Sequence, residues 1–482
     1  MRAIEAWKTV KCAVSNEPEW WTLYLLGQHH EIYATNAQPR IKGAVFRLLR
    51  YFQTMAFAGI RYPQAKPTID SNAQVLIYAG THNQTVSLDP IIEGLVGRGL
   101  TCECVNSNQY IASNDDNQWQ SIQCGWLSTF LGMAFSISRL PAVWRVLKSK
   151  DRQLLKKSLD SFLRVHTWSF YFFFLVKNLH PRLVLMSNDH SVENRALLNI
   201  CRALDIKTAY VQHASVSNLF PALRFDYSFL DGEIAKITYE NCEDNRCHTA
   251  VMPDQRHTFL VGVQKHLQQE ARGSAIGVAV KHKNDIAAVQ KALHQVFSVG
   301  RPVVIRWHPG ASTAEILRLK ALSEKFEALS FSDPKMESVS AFARRIGCLV
   351  AGNTGLHLEI SICGVPSIYY LIEEEGVSDY YRFVANGLSL DAPDDEYLRL
   401  LLADITELKV NAVAIKKYSA SFGTEWQGKE GLLVSGHIRS LVNGEEPESL
   451  WGYSGVMSEA HVIVEDRVHV NKDSSRSAST QA

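Results

Sequence analysis

From Gln74 onward the chain alternates short apolar runs with helical stretches, and the apolar runs end in glycine or small polar residues. Few other patterns constrain a fold so much. Buried runs of about five residues joined by amphipathic helices are the signature of parallel strands with crossover connections. "AQVLIYAG" leads into the helical "THNQTVSLDPIIEGLVGRG" and then "LTCECV". After a long aromatic insert, "RLVLMSNDHS", "KTAYVQHAS" and "FDYSFLDGE" continue the strands, and "TFLVGV" closes a first sheet near residue 263. The rhythm restarts at "SAIGVAVK" and runs through "PVVIRWHPG", "LSFSD", "CLVAGNTG" and "PSIYY". No solenoid period is present. The pattern predicts an α/β fold of two Rossmann-like domains: a helical segment over 1–70, a first domain over 71–268, a second over 269–445, and a tail over 446–482 that ends in a disorder-prone "NKDSSRSASTQA".

The first 70 residues show helical spacing instead. "IKGAVFRLLRYFQTMAFAG" sets Ile41, Val45, Leu48, Leu49, Phe52 and Met55 on one helical stripe, with Lys42, Arg47 and Arg50 among them. Such a basic amphipathic helix can face a core with a solvated edge or rest on an anionic membrane surface. The opening twenty residues hold no apolar core of signal-peptide length, and "WSFYFFFLV", Trp168 to Val176, is too short to span a bilayer and reads as a buried helix. The expectation is a cytoplasmic protein, with peripheral contact at the inner face of the cytoplasmic membrane left open. Lys and Arg total 50 against 49 Asp and Glu, so no global field favours nucleic acid as a partner. The nine cysteines lack paired zinc spacing and are expected to be reduced thiols.

Polar residues gather at the C-terminal ends of the predicted strands, the edge where open α/β sheets bind ligands. In the first domain these are Asp189 and His190, then Gln212 and His213, then Asp231, which a glycine follows; Asp226 lies just before the same strand. In the second domain "RWHPGAST" places Arg306, His308, Pro309 and Gly310 where a strand opens into a helix, a turn whose backbone N–H groups and helix dipole suit an anion. "LVAGNTGLHLEI" repeats that arrangement with Asn353, Thr354 and Gly355, and Glu359 one turn further along is placed to accept ribose hydroxyls. Asn353 or Thr354 would equally serve as an ordinary helix cap, and Asp231-Gly232 as an ordinary turn. No HExxH spacing, no strand-end DxD, no G-x-x-x-x-G-K-[ST] loop and no strand-linked GxGxxG is present, so metal-dependent, ATPase and dinucleotide chemistries lose their usual signatures.

"RWHPG", "GNTG" and "FLDGE" together resemble motifs of bacterial GT-B glycosyltransferases that use CMP-activated acidic sugars, the sialyl-, polysialyl- and Kdo transferases of capsule and lipopolysaccharide synthesis. The resemblance covers the motif order over roughly residues 75 to 375, and Leu230 departs from it where a second acid is usual. It implies a nucleotide-sugar donor held by Arg306, His308, Pro309, Gly310, Asn353, Thr354, Gly355 and Glu359. Catalysis would fall to Asp231 with His213 and Asp189, while His190, Gln212 and Asp226 would face a glycan or lipid-linked glycan acceptor. No cofactor and no metal is implied. A second resemblance is to the CDP-glycerol glycerophosphotransferases of teichoic acid synthesis. A non-catalytic partner in polysaccharide assembly or export is a further alternative that two such domains would serve.

Overall fold

The computed structural model describes residues 2–15, 43–61, 72–107, 119–146, 152, 155–156, 159–189, 191–218, 220, 222–242, 255–281, 285–372 and 377–457. The first sheet is built from β1 (Val75–Ala79), β2 (Cys102–Asn106), β3 (Gln120–Ser121), β4 (Leu183–Met186), β5 (Lys207–Val211), β6 (Tyr227–Leu230) and β7 (His257–Leu260). The second holds β8 (Ala275–Val280), β9 (Val303–Trp307), β10 (Leu329–Ser332), β11 (Ile346–Ala351), β12 (Ser367–Tyr369) and β13 (Leu390–Asp391), and β14 (Tyr453–Val456) returns to the first. The strand orders are β3-β2-β1-β4-β5-β6-β7-β14 and β10-β9-β8-β11-β12-β13. Every pair is parallel except β14 on β7. This is the two-domain Rossmann-like arrangement that the alternating pattern predicts. In each sheet the order reverses beside the first strand, which opens a crevice at the C-terminal strand ends.

Burial explains the parallel pairing. β1, β4, β9 and β11 are buried at every position, so they leave no solvated face and need helices on both sides. One face of the first sheet is covered by α1 (Arg2–Ser15), α4 (Trp126–Val146), α5 (Leu159–Leu179) and α6 (Val192–Ala203), with α2 (Ala44–Arg61) outside α4 and α5. The aromatic run is buried, as its composition predicts: Phe170, Phe172 and Phe173 of α5 pack with Tyr78 and Val184 of the sheet. The stripe predicted on α2 is split. Met55 is buried and Leu48 and Phe52 are half-buried, but Val45 and Leu49 face solvent, and Ile41, Lys42 and residues 62–70 lie outside the described residues. The packed face turns through Arg47 and Tyr51 instead, because Asp160 ion-pairs with Arg47 at 2.6 Å.

The opposite face of the first sheet is covered by α3 (His82–Gly97), and α7 (Glu233–Glu240) follows β6. The second sheet is flanked by α8 (Ile286–Phe297), α9 (Thr313–Lys320), α10 (Val339–Arg345), α11 (Leu356–Ile362), α12 (Asp395–Ala403) and α13 (Ala412–Tyr418). The last helix, α14 (Glu430–Val442), lies within the residues assigned above to the second domain, yet it packs on α3. Leu433, Val434 and Ile438 join Leu88, Ile91 and Leu95 over β1. The chain therefore crosses between the sheets twice, outward after β7 and back after α13.

Small residues let α14 and α3 approach. A Cβ on Gly431 would lie 2.6 Å from Pro90 Cβ and 2.9 Å from the Pro90 carbonyl carbon, neither of which can swing aside. Overpacking costs about 1–3 kcal/mol, against about 1 kcal/mol regained from the better helix propensity of alanine. Gly431→Ala should therefore lower the melting temperature, and a raised melting temperature would show that the helix contact is looser than this geometry.

Candidate functional site

Strand β6 is paired on both sides, by β5 and β7, and its apolar run ends at Leu230, so Asp231 emerges at the C-terminal edge of the first sheet. Its backbone is held from three directions. Asp231 N donates to Gln212 Oε1 at 3.0 Å, and its carbonyl accepts from Gly262 N at 3.0 Å and from Ala420 N at 2.8 Å. The next residue must be glycine, because a Cβ there would lie 2.5 Å from the Lys417 carbonyl oxygen and 2.7 Å from the Tyr418 carbonyl carbon. Sequence, strand end and close backbone approach thus fix one carboxyl side chain in place. Asp231 is only 5% exposed, and no hydrogen bond or ion pair to its carboxylate occurs among the described residues. Burial pushes its pKa well above the ordinary carboxylate value, Lys265 pulls it down, and Glu359 and Glu430 push it up again.

The carboxyl lines a cleft walled by both domains. From the first come Ser87 of α3 and the loop after β5, with Gln212, His213 and Ser215. The crossover after β7 supplies Gln264 and Lys265, and α11 of the second domain supplies Glu359, with Gly355 at its N-cap. The two walls meet closely, since a Cβ on Gly355 would sit 3.5 Å from Ser215 Oγ. Lys265 Nζ and Glu359 Oε1 are 2.5 Å apart, so the cation nearest the cleft floor is balanced by a carboxylate of the second domain. Gln264 donates through Nε2 to the Gly262 carbonyl at 2.9 Å, while its Oε1 is buried with no hydrogen-bond partner among the described residues. A buried acceptor without a donor costs about 1–3 kcal/mol, and the wall it belongs to is lined with ionisable and hydroxyl groups that a polar ligand can meet.

Of the residues singled out in the sequence, the structure brings Gln212, His213, Asp231, Gly355 and Glu359 together around this cleft. Others take different places. Asp189 is buried against Arg195, whose Nη2 is 3.1 Å from the carboxylate and whose Nε donates to the Asp189 carbonyl, so this carboxyl holds the end of β4 rather than lining the cleft. Asp226 precedes β6 and accepts from Thr208 N and Thr208 Oγ1, both at 2.8 Å. It stands at the N-terminal edge of the sheet, about 16 Å along the strand from Asp231 by strand rise. It is not among the residues that line the cleft. Arg306 is buried, donates to Ser332 Oγ and the Glu337 carbonyl, lies over the Phe342 ring at 5.2 Å, and is not among the residues that line the cleft. Asn353 spends its amide on the 377–380 loop: Nδ2 donates to Val377 O, and Oδ1 accepts from Tyr369 Oη and Tyr380 N. Thr354 Oγ1 accepts from Leu356 N. His190 lies outside the described residues.

The His308 turn stands beyond the cleft lining. Gly310 N donates to His308 Nδ1 at 3.0 Å, which puts the proton of the neutral ring on Nε2. His308, Pro309 and Gly310 are exposed at the end of β9, separated from the 352–355 turn after β11 only by β8. Two strand spacings set the turns about 10 Å apart. The α9 terminus already has an anion: Glu315 accepts from Ser312 N at 2.7 Å in a capping box. Gln264 and Lys265 were missed from the sequence, although "VGVQK" follows a strand as directly as "LDGE" does.

No family model matches the chain, and no curated protein sequence matches it. Among solved structures the chain is similar to the UDP-GlcNAc 2-epimerase of Neisseria meningitidis bound to UDP-GlcNAc, at 11% identity over 77% of this chain and 100% of that one, with a TM-score of 0.47. It is similar to MurG of Acinetobacter baumannii at 12% identity over 77% and 98% of the two chains, TM-score 0.44. It is also similar to the wall teichoic acid polymerase TagF at 9% identity over 83% and 98%, TM-score 0.45.

A carboxyl whose folded pKa is raised binds its proton more tightly than in the unfolded chain. Its stability contribution is present below the unfolded value and is lost as pH rises through the folded value. Asp231→Asn removes that cost. The variant should melt higher than the parent at neutral pH, and the gap should close as pH falls below the unfolded aspartate value near 4. A variant less stable than the parent at neutral pH would show that the carboxylate is held by partners, as a structural aspartate is.

Proposed function

We propose that this protein is a glycosyltransferase that moves a sugar from a nucleotide-activated donor, of the CMP-linked acidic sugar class, onto a glycan or lipid-linked glycan acceptor. The observation that carries this reading is Asp231, a buried carboxyl without a hydrogen-bonding partner among the described residues, with a raised proton affinity, in a cleft walled by both domains. A carboxylate of that kind suits a general base. It takes the proton of an acceptor hydroxyl while the acceptor oxygen bonds to the anomeric carbon, and the bond from that carbon to the donor phosphate breaks with its electron pair on the phosphate oxygen. The donor lies toward the second domain, where the His308 turn and the 352–355 turn stand at neighbouring strand ends and would meet its phosphate. Gln264 Oε1 accepts from a hydroxyl of the bound substrate, which relieves its burial without a donor.

The reading includes no metal, since positive dipoles and His308 meet the charge of the leaving phosphate. Turnover of a CMP-sugar, followed as release of CMP, should therefore persist in EDTA, and a strict need for added Mg2+ or Mn2+ would overturn that part of the mechanism.

Two variants test the rest. Asp231→Asn should keep donor affinity and lose turnover by the roughly 10² to 10⁴ typical of acid/base groups. A general base leaves no sugar adduct on the parent protein in intact-mass spectra with donor alone, whereas a nucleophile leaves one. His308→Ala should weaken CMP binding by about 1.5–3 kcal/mol, the worth of one hydrogen bond to a charged group, without changing the melting temperature of the free protein. Unchanged CMP affinity in that variant, or CMP-sugar turnover at parental rate in Asp231→Asn, would remove the corresponding residue from the mechanism.

A further inference from the structure

Helix α2 carries its charge inward and its bulk outward. Its packed face holds Arg47, Tyr51 and Met55, with Arg47 neutralised by Asp160 and Tyr51 Oη 3.1 Å from Thr167 Oγ1. Its outer face holds Phe46, Leu49 and Phe57, which are 66%, 59% and 62% exposed. Helix α4, packed beside it, turns Trp126, Phe130 and Ile137 outward at intervals of four and seven residues, 58%, 60% and 65% exposed. Scattered apolar side chains are ordinary on a surface, but two stripes of large ones on neighbouring helices mark a place where something else docks.

The charge carried by the two helices themselves is of one sign, the neighbouring Asp160 being paired with Arg47. Residues 43–61 and 119–146 contain no Asp or Glu, and their charged side chains are all arginine. Arg50 is exposed among the apolar residues of α2. At the far end of α4, Arg152 and Lys156 each stand 5.5 Å from the centroid of the Trp144 ring. We infer that the outer faces of α2 and α4 seat this protein on the surface of an anionic lipid bilayer. Aromatic and aliphatic side chains enter the boundary between headgroups and acyl chains, and arginine and lysine stay at phosphate level on their aliphatic stems. The protein lies on the bilayer here rather than crossing it, since among the described residues no helix is long and apolar enough to span a membrane.

The test is flotation of the full chain with phosphatidylcholine vesicles and with vesicles that also carry about 30 mol% phosphatidylglycerol. The chain should float with the anionic vesicles and far less with the neutral ones. Leu49→Glu with Phe130→Glu should reduce the partition coefficient about tenfold or more, with the melting temperature held because both positions are exposed. Absence of flotation with anionic vesicles would overturn the inference, as would parental flotation of the double variant. Self-association without lipid that the double variant abolishes would also overturn it, by assigning the surface to a second copy of the chain. Flotation needs no donor or turnover, so its outcome stands apart from that of the transferase reading, which CMP binding by the same double variant reports separately.

Discussion

One backbone oxygen ties the molecule together. The carbonyl of Asp231 accepts from Gly262 N, on the chain's way to the second sheet, and from Ala420 N, on its way back. Both crossings therefore run past the residue whose side chain faces the cleft. The neighbouring positions obey the same constraint: a Cβ on Gly232 would strike the backbone at Lys417 and Tyr418, and one on Gly262 would strike Ser421. Asp231 therefore sits at the junction through which the chain passes in both directions between the sheets.

Electrostatics follow from that packing. Asp231 is dry because two crossovers and a paired strand enclose it, and desolvation is the largest influence on its proton affinity. Glu430, on the returning segment, is also buried and also raised by desolvation, with one oxygen accepting from Ser421 Oγ and Gly428 N. Lys265 pairs with Glu359 and also pulls the Asp231 pKa down, so its charge is shared between the two carboxyls.

Much of the fold is legible in the sequence because a strand buried on both faces must be uniformly apolar and must end where polar residues begin. "VLIYA", "LVLM" and "IGCLVA" announce themselves in this way, and "VVIRW" does so apart from Arg306. Asp231 was legible for the same reason. What the pattern does not carry is which way a polar residue turns. Arg306 and Asn353 sit at strand ends like their neighbours, but one is drawn under Phe342 and the other ties down a loop more than twenty residues away. Asp226 was ambiguous because a four-residue strand places polar residues at both edges, and only one edge borders the cleft. The return of α14 to the first sheet was hidden because an amphipathic helix does not name its partner.

That return changes what kind of object the second domain is. Since the described chain leaves the first sheet after β7 and returns to it through α14 and β14, the residues from Ala275 to Tyr418 form a module inserted between β7 and α14. Its two ends leave and re-enter at groups that share one acceptor atom, so they lie side by side. Insertions with adjacent ends disturb their host least. The half of the cleft that holds Gly355 and Glu359 thus travels as one unit on adjoining ends, while Asp231 and the wall at Gln212 to Ser215 stay on the frame that receives it.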